Sequence, residues 1–89
     1  MKTIRRLKQF KKDVKHMQKT GQNMAMLTQT IEKLANDETL ESEYHDHALV
    51  GNYQGYRDCH LEPDWLLIYQ SSETELVLVR TGSHSDLFK

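Results

Sequence analysis

The sequence predicts an α+β domain, in which a helical hairpin packs on one face of a small, largely antiparallel sheet of three to four strands. A short C-terminal helix or turn is expected to follow. Apolar residues recur at spacings of three and four in the first part of the chain, as is typical of helices. The second half contains short β-branched and aromatic segments separated by turn residues. Helices that precede hairpin-connected strands favour a two-layer α+β architecture.

Two helices are expected near the N-terminus. The segment 5–19 is predicted to be helical because one apolar stripe runs through it, at Ile4, Leu7, Phe10, Val14 and Met17. The turn 20–22 interrupts this stripe, and a second stripe follows at Met24, Leu27, Ile31 and Leu34. The short connection indicates that the two helices pack as a hairpin.

The second half of the chain is predicted to form the sheet. Its first strand begins near Gly55 and ends at the turn Glu62-Pro63-Asp64, which contains the only proline. Two more strands are expected over 65–70 and 76–81, and residues 2–4 are a candidate for a short additional strand. The acidic segment 36–43 has almost no apolar side chains and is predicted to be a solvated loop.

Length and composition predict one small domain spanning residues 1–89, with 37% apolar residues available for a core. The longest apolar run, 65–69, is too short to span a bilayer. The basic N-terminus lacks the apolar segment of a signal peptide, and the single cysteine, Cys59, has no partner for an internal disulfide. We therefore expect a cytoplasmic protein with no membrane contact.

Basic residues are concentrated at the N-terminus. Residues 1–19 contain eight of the 12 lysines and arginines but only one of the 13 acidic residues. We call the exposed lysines of the first predicted helix the basic face: Lys8, Lys11, Lys12 and Lys15. Such a face is expected to contact a polyanion or an acidic protein, although it is also common on solvated helices.

Side chains suited to phosphodiester chemistry lie near the strand ends. His60 and Asp64 flank the turn after the first strand of the hairpin, and His84 follows the last strand. Cleavage of RNA without a metal needs a base for the 2′-hydroxyl, an acid for the leaving oxygen and cations for the phosphate. His60 and His84 are the candidate acid and base, and Asp64 is expected to orient one imidazole.

Other side chains are candidates for substrate contacts or for a supporting role. Arg57 and Arg80 are expected to bind the phosphate through their guanidinium groups. Trp65 and Phe88 are expected to stack on unpaired bases. For Trp65, which lies in an apolar run, a core position is the competing interpretation. His47 is a third candidate catalytic imidazole.

A metal site is an alternative use of the histidines. His45 and His47 flank Asp46, and His60 or His84 would complete a tetrahedral site. The sequence contains no HExxH motif and no carboxylate cluster of the kind that a two-metal nuclease needs. We therefore favour a mechanism without a metal or cofactor.

Two segments have a specific order of residues. The first runs from His47 through residues 55–69, GYRDCHLEPDWLLIY, and the second is 80–88, RTGSHSDLF. Together they resemble the YafQ branch of the RelE superfamily of bacterial toxins. Residues 1–40 resemble that family only as two helices with a basic first one, and the acidic segment 37–46 departs from its pattern.

This resemblance implies a ribosome-dependent endoribonuclease that cuts messenger RNA (mRNA) without a metal and is the toxin of a type II toxin-antitoxin pair. The family's catalytic group corresponds by position to His47, His60, Asp64 and His84. Its supporting or RNA-contacting residues correspond to Trp65, Arg80 and Phe88. The resemblance also implies neutralisation by a small antitoxin, commonly in a heterotetramer. The alternative is a non-catalytic module of the same fold that binds RNA or protein without cutting.

Overall fold

A five-stranded sheet with two helices on one face forms the molecule, which the computed structural model describes over residues 1–88. The elements in chain order are β1 (Thr3–Arg6), α1 (Lys8–Lys19), α2 (Met24–Ala35), β2 (His47–Ala48), β3 (Arg57–Glu62), β4 (Trp65–Ser71), β5 (Glu75–Gly82) and α3 (His84–Leu87). Short 3-10 helices at Ser42–Tyr44 and Gly51–Tyr53 lie on either side of β2. None of the helices in the described part of the chain has the length and apolar character needed to cross a membrane.

The strand order across the sheet is β1-β5-β4-β3-β2, with β1 parallel to β5 and the remaining pairs antiparallel. The predicted α+β class is confirmed, although the sheet has five strands instead of three to four. The prediction of a helix from residue 5 is wrong at its start, because residues 3–6 pair with β5 and the backbone N–H of Leu7 donates to Leu78 at 3.1 Å. Pairing with a strand distant in sequence overrides the helical spacing there.

The main core lies between the sheet and the helices α1 and α2. The helices contribute Phe10, Met17, Leu27, Ile31, Leu34 and Ala35. The sheet contributes Cys59, Leu61, Trp65, Leu67, Tyr69, Leu76 and Leu78. We call this side of the sheet the helix face, and its apolar burial supplies most of the driving force for folding.

The opposite side of the sheet, here called the second face, carries a smaller apolar cluster of Leu66, Ile68, Val79 and Leu87. Half-buried residues from the loop 49–56 pack on it, including Leu49, Tyr53 and Tyr56. The second face is therefore only partly open, since this loop and α3 cover part of it.

A shift in register places Arg80 on the second face. Ile68 pairs with Arg80 but Tyr69 pairs with Leu78, so β5 has one more residue than β4 at this point, Val79. Because directly paired residues point to the same side of a sheet, Arg80 shares the side of Ile68. Without this bulge, regular alternation from Leu78 would have placed Arg80 on the helix face.

The short helix α3 folds back onto the end of β5. The Ser83 side chain accepts from the Asp86 backbone N–H, and the Asp86 side chain accepts from that of Ser83, both at 3.2 Å. A Cβ at Gly82 would lie 3.2 Å from the Cβ of Asp86, which explains why glycine suits the junction. This capping box fixes the direction in which His84 leaves the strand.

Candidate active site

The sheet register brings polar residues from distant parts of the chain onto the second face. One row of directly paired residues runs across four strands as His47, Asp58, Ile68 and Arg80. The neighbouring row contains His60, Leu66 and Gly82. Asp58 and His60 are two residues apart on β3 and therefore point to the same side. His84 follows directly after the second row.

His84 is held by the carboxylate of Asp64. The backbone N–H and the ring Nδ1 of His84 each lie 3.0 Å from Oδ1 of Asp64. The two hydrogen bonds from His84 lower the pKa of Asp64, so this carboxylate stays charged. Since Nδ1–H donates to Asp64, the other ring nitrogen, Nε2, is available for a substrate. The structure thus brings Asp64 and His84 together as the sequence predicted.

His60 lies between two other imidazoles. Its ring centroid is 5.5 Å from that of His84 and 5.5 Å from that of His45. Burial lowers the pKa of His60, the nearby Asp58 carboxylate opposes this change, and the neighbouring histidines reinforce it. The imidazole is therefore neutral at pH 7, as a general base must be.

Asp58 is a buried carboxylate beneath these histidines, with 3% of its surface exposed. Its Oδ1 lies 2.8 Å from Nε2 of His47, although the contact lacks hydrogen-bond geometry. Burial raises the pKa of Asp58, and His47, His60 and His84 oppose this change. Sequence analysis gave Asp58 no role. Its spacing of two from His60 was the available signal.

Arg80 reaches the second face with its guanidinium group already held by a buried acid. Its Nε donates to Asp13 at 2.8 Å and its Nη2 at 3.2 Å. The hydrogen bond to Asp13 raises the pKa of Arg80, with a smaller contribution from Tyr53. Asp13 also accepts from the backbone N–H of Thr81 and from Gln9. The role of Asp13 was missed, although its spacing from Phe10 and Met17 places it on the inward side of α1.

Aromatic contacts connect Arg80 to the histidines. The ring of Tyr53, which contacts Arg80, lies 5.6 Å from that of Phe88. The ring of Phe88 lies 6.3 Å from that of His84, and this phenylalanine is 40% exposed. The candidate site is therefore a continuous surface from Arg80 through Tyr53 and Phe88 to His84 and His60.

Two of the predicted substrate contacts are corrected by the structure. Trp65 has no exposed surface, and its Nε1–H donates to Thr81 at 2.9 Å within the core, so it offers no surface for base stacking. Arg57 pairs across the strands with Tyr69 on the helix face and donates to Asp46 at 3.2 Å. Regular alternation along β3 separates Arg57 from His60, which points to the opposite side.

The basic face is exposed along α1 as predicted, with all four lysines at the surface. In the part of the chain that the structure describes, no group of three or more histidine, cysteine or acidic side chains is placed to hold a metal ion.

Comparison with known proteins identifies closely related toxins. The family described as "Bacterial toxin of type II toxin-antitoxin system, YafQ" matches residues 2–89. The mRNA interferase toxin YafQ of Escherichia coli K12 is 44% identical over 81 residues, which covers 90% of this chain and 88% of that protein.

Two solved structures share the whole fold. The toxin of the Escherichia coli DinJ-YafQ complex is 41% identical, with a TM-score of 0.93 over 100% of both chains. A metal-bound toxin from Helicobacter pylori is 44% identical, with a TM-score of 0.92 over 99% of this chain and 100% of that one.

Proposed function

Because this chain belongs to the YafQ family of toxins from bacterial type II toxin-antitoxin systems, we propose that it is an mRNA interferase that cuts messenger RNA on the ribosome. One observation supports this proposal above all. The fold gathers two adjacent imidazoles, His60 and His84, with the carboxylate of Asp64 and the guanidinium of Arg80 on one accessible surface. These are the groups that acid–base cleavage of a phosphodiester requires.

In this mechanism His60 is the general base and His84 the general acid. Neutral His60 takes the proton of the ribose 2′-hydroxyl, and the 2′-oxygen attacks the phosphorus. The bond to the 5′-oxygen breaks as His84 donates a proton to that oxygen, giving a 2′,3′-cyclic phosphate and a 5′-hydroxyl. Asp64 fixes the ring of His84 through the hydrogen bond from Nδ1. His47, whose Nε2 lies 2.8 Å from Asp58, is the third imidazole of the proposed catalytic group.

Arg80 and Phe88 position the substrate. Asp13 binds Arg80 on one side, which leaves guanidinium N–H groups that can donate to the phosphate as negative charge develops. Holding the guanidinium in advance reduces the entropy lost on binding. The exposed ring of Phe88 beside His84 provides a surface on which an unpaired base can stack.

The partners follow from the same proposal. The ribosome contacts the basic face, since ribosomal RNA is a polyanion. We expect glutamine at Lys8, Lys11, Lys12 and Lys15 to weaken ribosome binding and to reduce its dependence on salt, as measured by co-sedimentation. Binding of this variant equal to that of the wild type at both low and high salt would reject this contact. A cognate antitoxin neutralises the toxin, as suggested by the DinJ-YafQ complex of the relative, and the cytoplasm is where both ligands occur.

The decisive experiment maps mRNA ends in a translating extract with the wild-type protein and with His84→Ala, each with and without EDTA. The magnesium that ribosomes need is restored in excess in a parallel sample. We expect new in-frame ends with the wild type alone, unaffected by chelation of trace metals. Loss of cutting on chelation, restored by a transition metal but not by magnesium, would favour the metal alternative.

A non-catalytic binding module of the same fold predicts a different result. Such a protein would arrest growth on induction equally well with histidine or alanine at position 84, and no new mRNA ends would appear. Because His84 is half-exposed on a short surface helix, we expect its replacement to leave folding intact. Circular dichroism and thermal unfolding of the variant provide this control.

A further inference from the structure

A hollow lies beside the candidate site at the open edge of β3. β2 pairs with β3 only at residues 57 and 58, so in the described structure no strand covers the far end of β3 on that side. The hollow has a volume of about 590 Å³ and is lined by Met26, Glu43, Tyr44, His45, His60, Leu61, Glu62 and Pro63. The mechanism above uses only one of these residues, His60.

His60 is shared by the hollow and the catalytic surface. Its ring faces His84 on one side and His45 on the other, at 5.5 Å in each case. Its Nδ1 is buried and has no hydrogen-bond partner among the described residues. A nucleotide whose 2′-hydroxyl lies at His60 therefore has its base within reach of the hollow.

The wall formed by His45 is fixed by an unusual backbone conformation. His45 adopts φ 47°, in the left-handed region, where it ends the 3-10 helix Ser42–Tyr44. A non-glycine residue in this region is uncommon, and such conformations concentrate at functional sites. The conformation turns the imidazole edge-on to His60, at an interplanar angle of 77°.

The lining combines flat and apolar surfaces with two hydrogen-bond acceptors. Tyr44 and His45 offer rings for stacking, and Met26, Leu61 and Pro63 offer apolar contacts. Glu43 and Glu62 contribute carboxylate oxygens that accept hydrogen bonds. The described lining includes no lysine or arginine that would bind a phosphate.

We propose that this hollow binds the base next to the cleaved phosphate and selects adenine, guanine or cytosine over uracil. The first three bases carry an exocyclic amino group that donates to a carboxylate. Uracil has none: its single N3–H lies between two carbonyl oxygens, so one carboxylate can accept from it while the second meets an oxygen and is repelled. The inference rests on the proposed function, because it names the specificity of the same site. The proposed selectivity depends on Glu43 and Glu62. Glu43 lies in the acidic segment 37–46, which departs from the family pattern, and Glu62 lies at the end of β3.

The test compares base frequencies around the cut positions for the wild type and for the double variant Glu43→Gln/Glu62→Gln. A glutamine amide can donate to a uracil carbonyl as well as accept. We expect uracil to be depleted at one position beside the cut in the wild type and to rise roughly tenfold in the variant, as expected for loss of charged hydrogen-bond acceptors. Glu73→Gln, in the exposed β4–β5 turn at the other end of the sheet, is the matched control and should leave the profile unchanged.

A competing occupant is a lysine or arginine side chain of the antitoxin, which the two carboxylates would also attract. The same variants therefore need antitoxin-binding measurements. Weaker antitoxin binding combined with an unchanged base profile would overturn the proposal, as would an unchanged profile alone. If the wild type cut no RNA, the hollow would still be testable by NMR titration with adenosine and uridine 5′-monophosphates. Equal shifts of the Tyr44 and His45 signals with both nucleotides would then refute the selectivity.

Discussion

The two faces of the sheet differ in how they use neighbouring residues. Cys59 and Trp65, on the helix face, have no exposed surface, and burial raises the pKa of the Cys59 thiol so that it stays protonated. His60, one residue further along β3, lies on the second face with a pKa that burial lowers. Burial thus keeps both groups uncharged, but only the imidazole remains within reach of a substrate.

Side chains alternate along the strands, so the residues that stabilise the fold lie on the helix face and the residues proposed for catalysis lie on the second face. Apolar contacts on the helix face stabilise the fold. The second face has only a small apolar cluster and also carries charged groups, whose burial costs free energy unless they are paired. Two buried carboxylates, Asp13 and Asp58, provide the compensation by pairing with Arg80 and His47. Substitutions on the two faces should therefore fail in different ways.

The largest contrast is expected between His60→Ala and Trp65→Ala. Loss of the general base should reduce cleavage by about two to four powers of ten without unfolding the protein. Loss of the indole should lower the free energy of unfolding by about 3 to 5 kcal/mol, because it leaves a cavity in the core. Urea unfolding and single-turnover cleavage of mRNA on ribosomes measure the two effects.

Trp65→Phe is the matched control for this contrast. It keeps most of the buried apolar volume and loses only the hydrogen bond to Thr81, so we expect a smaller loss of stability and nearly normal cleavage. A Trp65→Ala protein that is fully folded but inactive would contradict the separation of the faces and restore an RNA-contacting role for the indole.

A smaller contrast is expected between the two arginines. Arg80→Gln should reduce cleavage about tenfold to a hundredfold, since a charged hydrogen bond to the phosphate is lost. Arg57→Gln should change cleavage less than about fivefold, because its exposed ion pair with Asp46 lies on the other face. Cleavage rates are compared at equal folded fraction, since Arg80→Gln also leaves the buried Asp13 without its cation. Equal losses in the two variants would place both arginines at the substrate.

The sequence allowed the elements and most residues of the candidate site to be predicted. The proline turn identified the hairpin on which Asp64 lies, and alternation along β3 is enough to separate His60 from Cys59 and Leu61. These features are local, because the spacing of residues along one strand determines the side of the sheet to which each side chain points. His84 was predicted from its place after the last strand, and the family-like order of residues supports the same choice.

Contacts between elements that are distant in the sequence could not be predicted from local spacing. The bulge at Val79 changes the side on which Arg80 lies, and neither of its neighbours in the sequence is a glycine or a turn residue. The pairing of β1 with β5 replaces the start of the predicted helix, and the loop 49–56 packs on the apolar cluster of the second face. Each of these features depends on tertiary contacts, which propensity and periodicity along one segment do not encode.

The smallest predicted effect concerns the pH dependence that Asp58 gives to the second face. Burial, together with His45, His47 and His84, lowers the pKa of His60 below the ordinary value of 6.5, whereas the Asp58 carboxylate opposes the change. Asp58→Asn removes that negative charge, which stabilises the imidazolium, so the pKa of His60 should fall further. The base then stays neutral to lower pH, and the acidic limb of the kcat/KM profile should move to lower pH. NMR titration of the His60 ring measures the shift directly. Glu73→Gln is the control, because Glu73 lies in the exposed β4–β5 turn and is not among the groups that shift the pKa of His60. A rise in the His60 pKa on replacing Asp58 would show that this carboxylate does not stabilise the imidazolium.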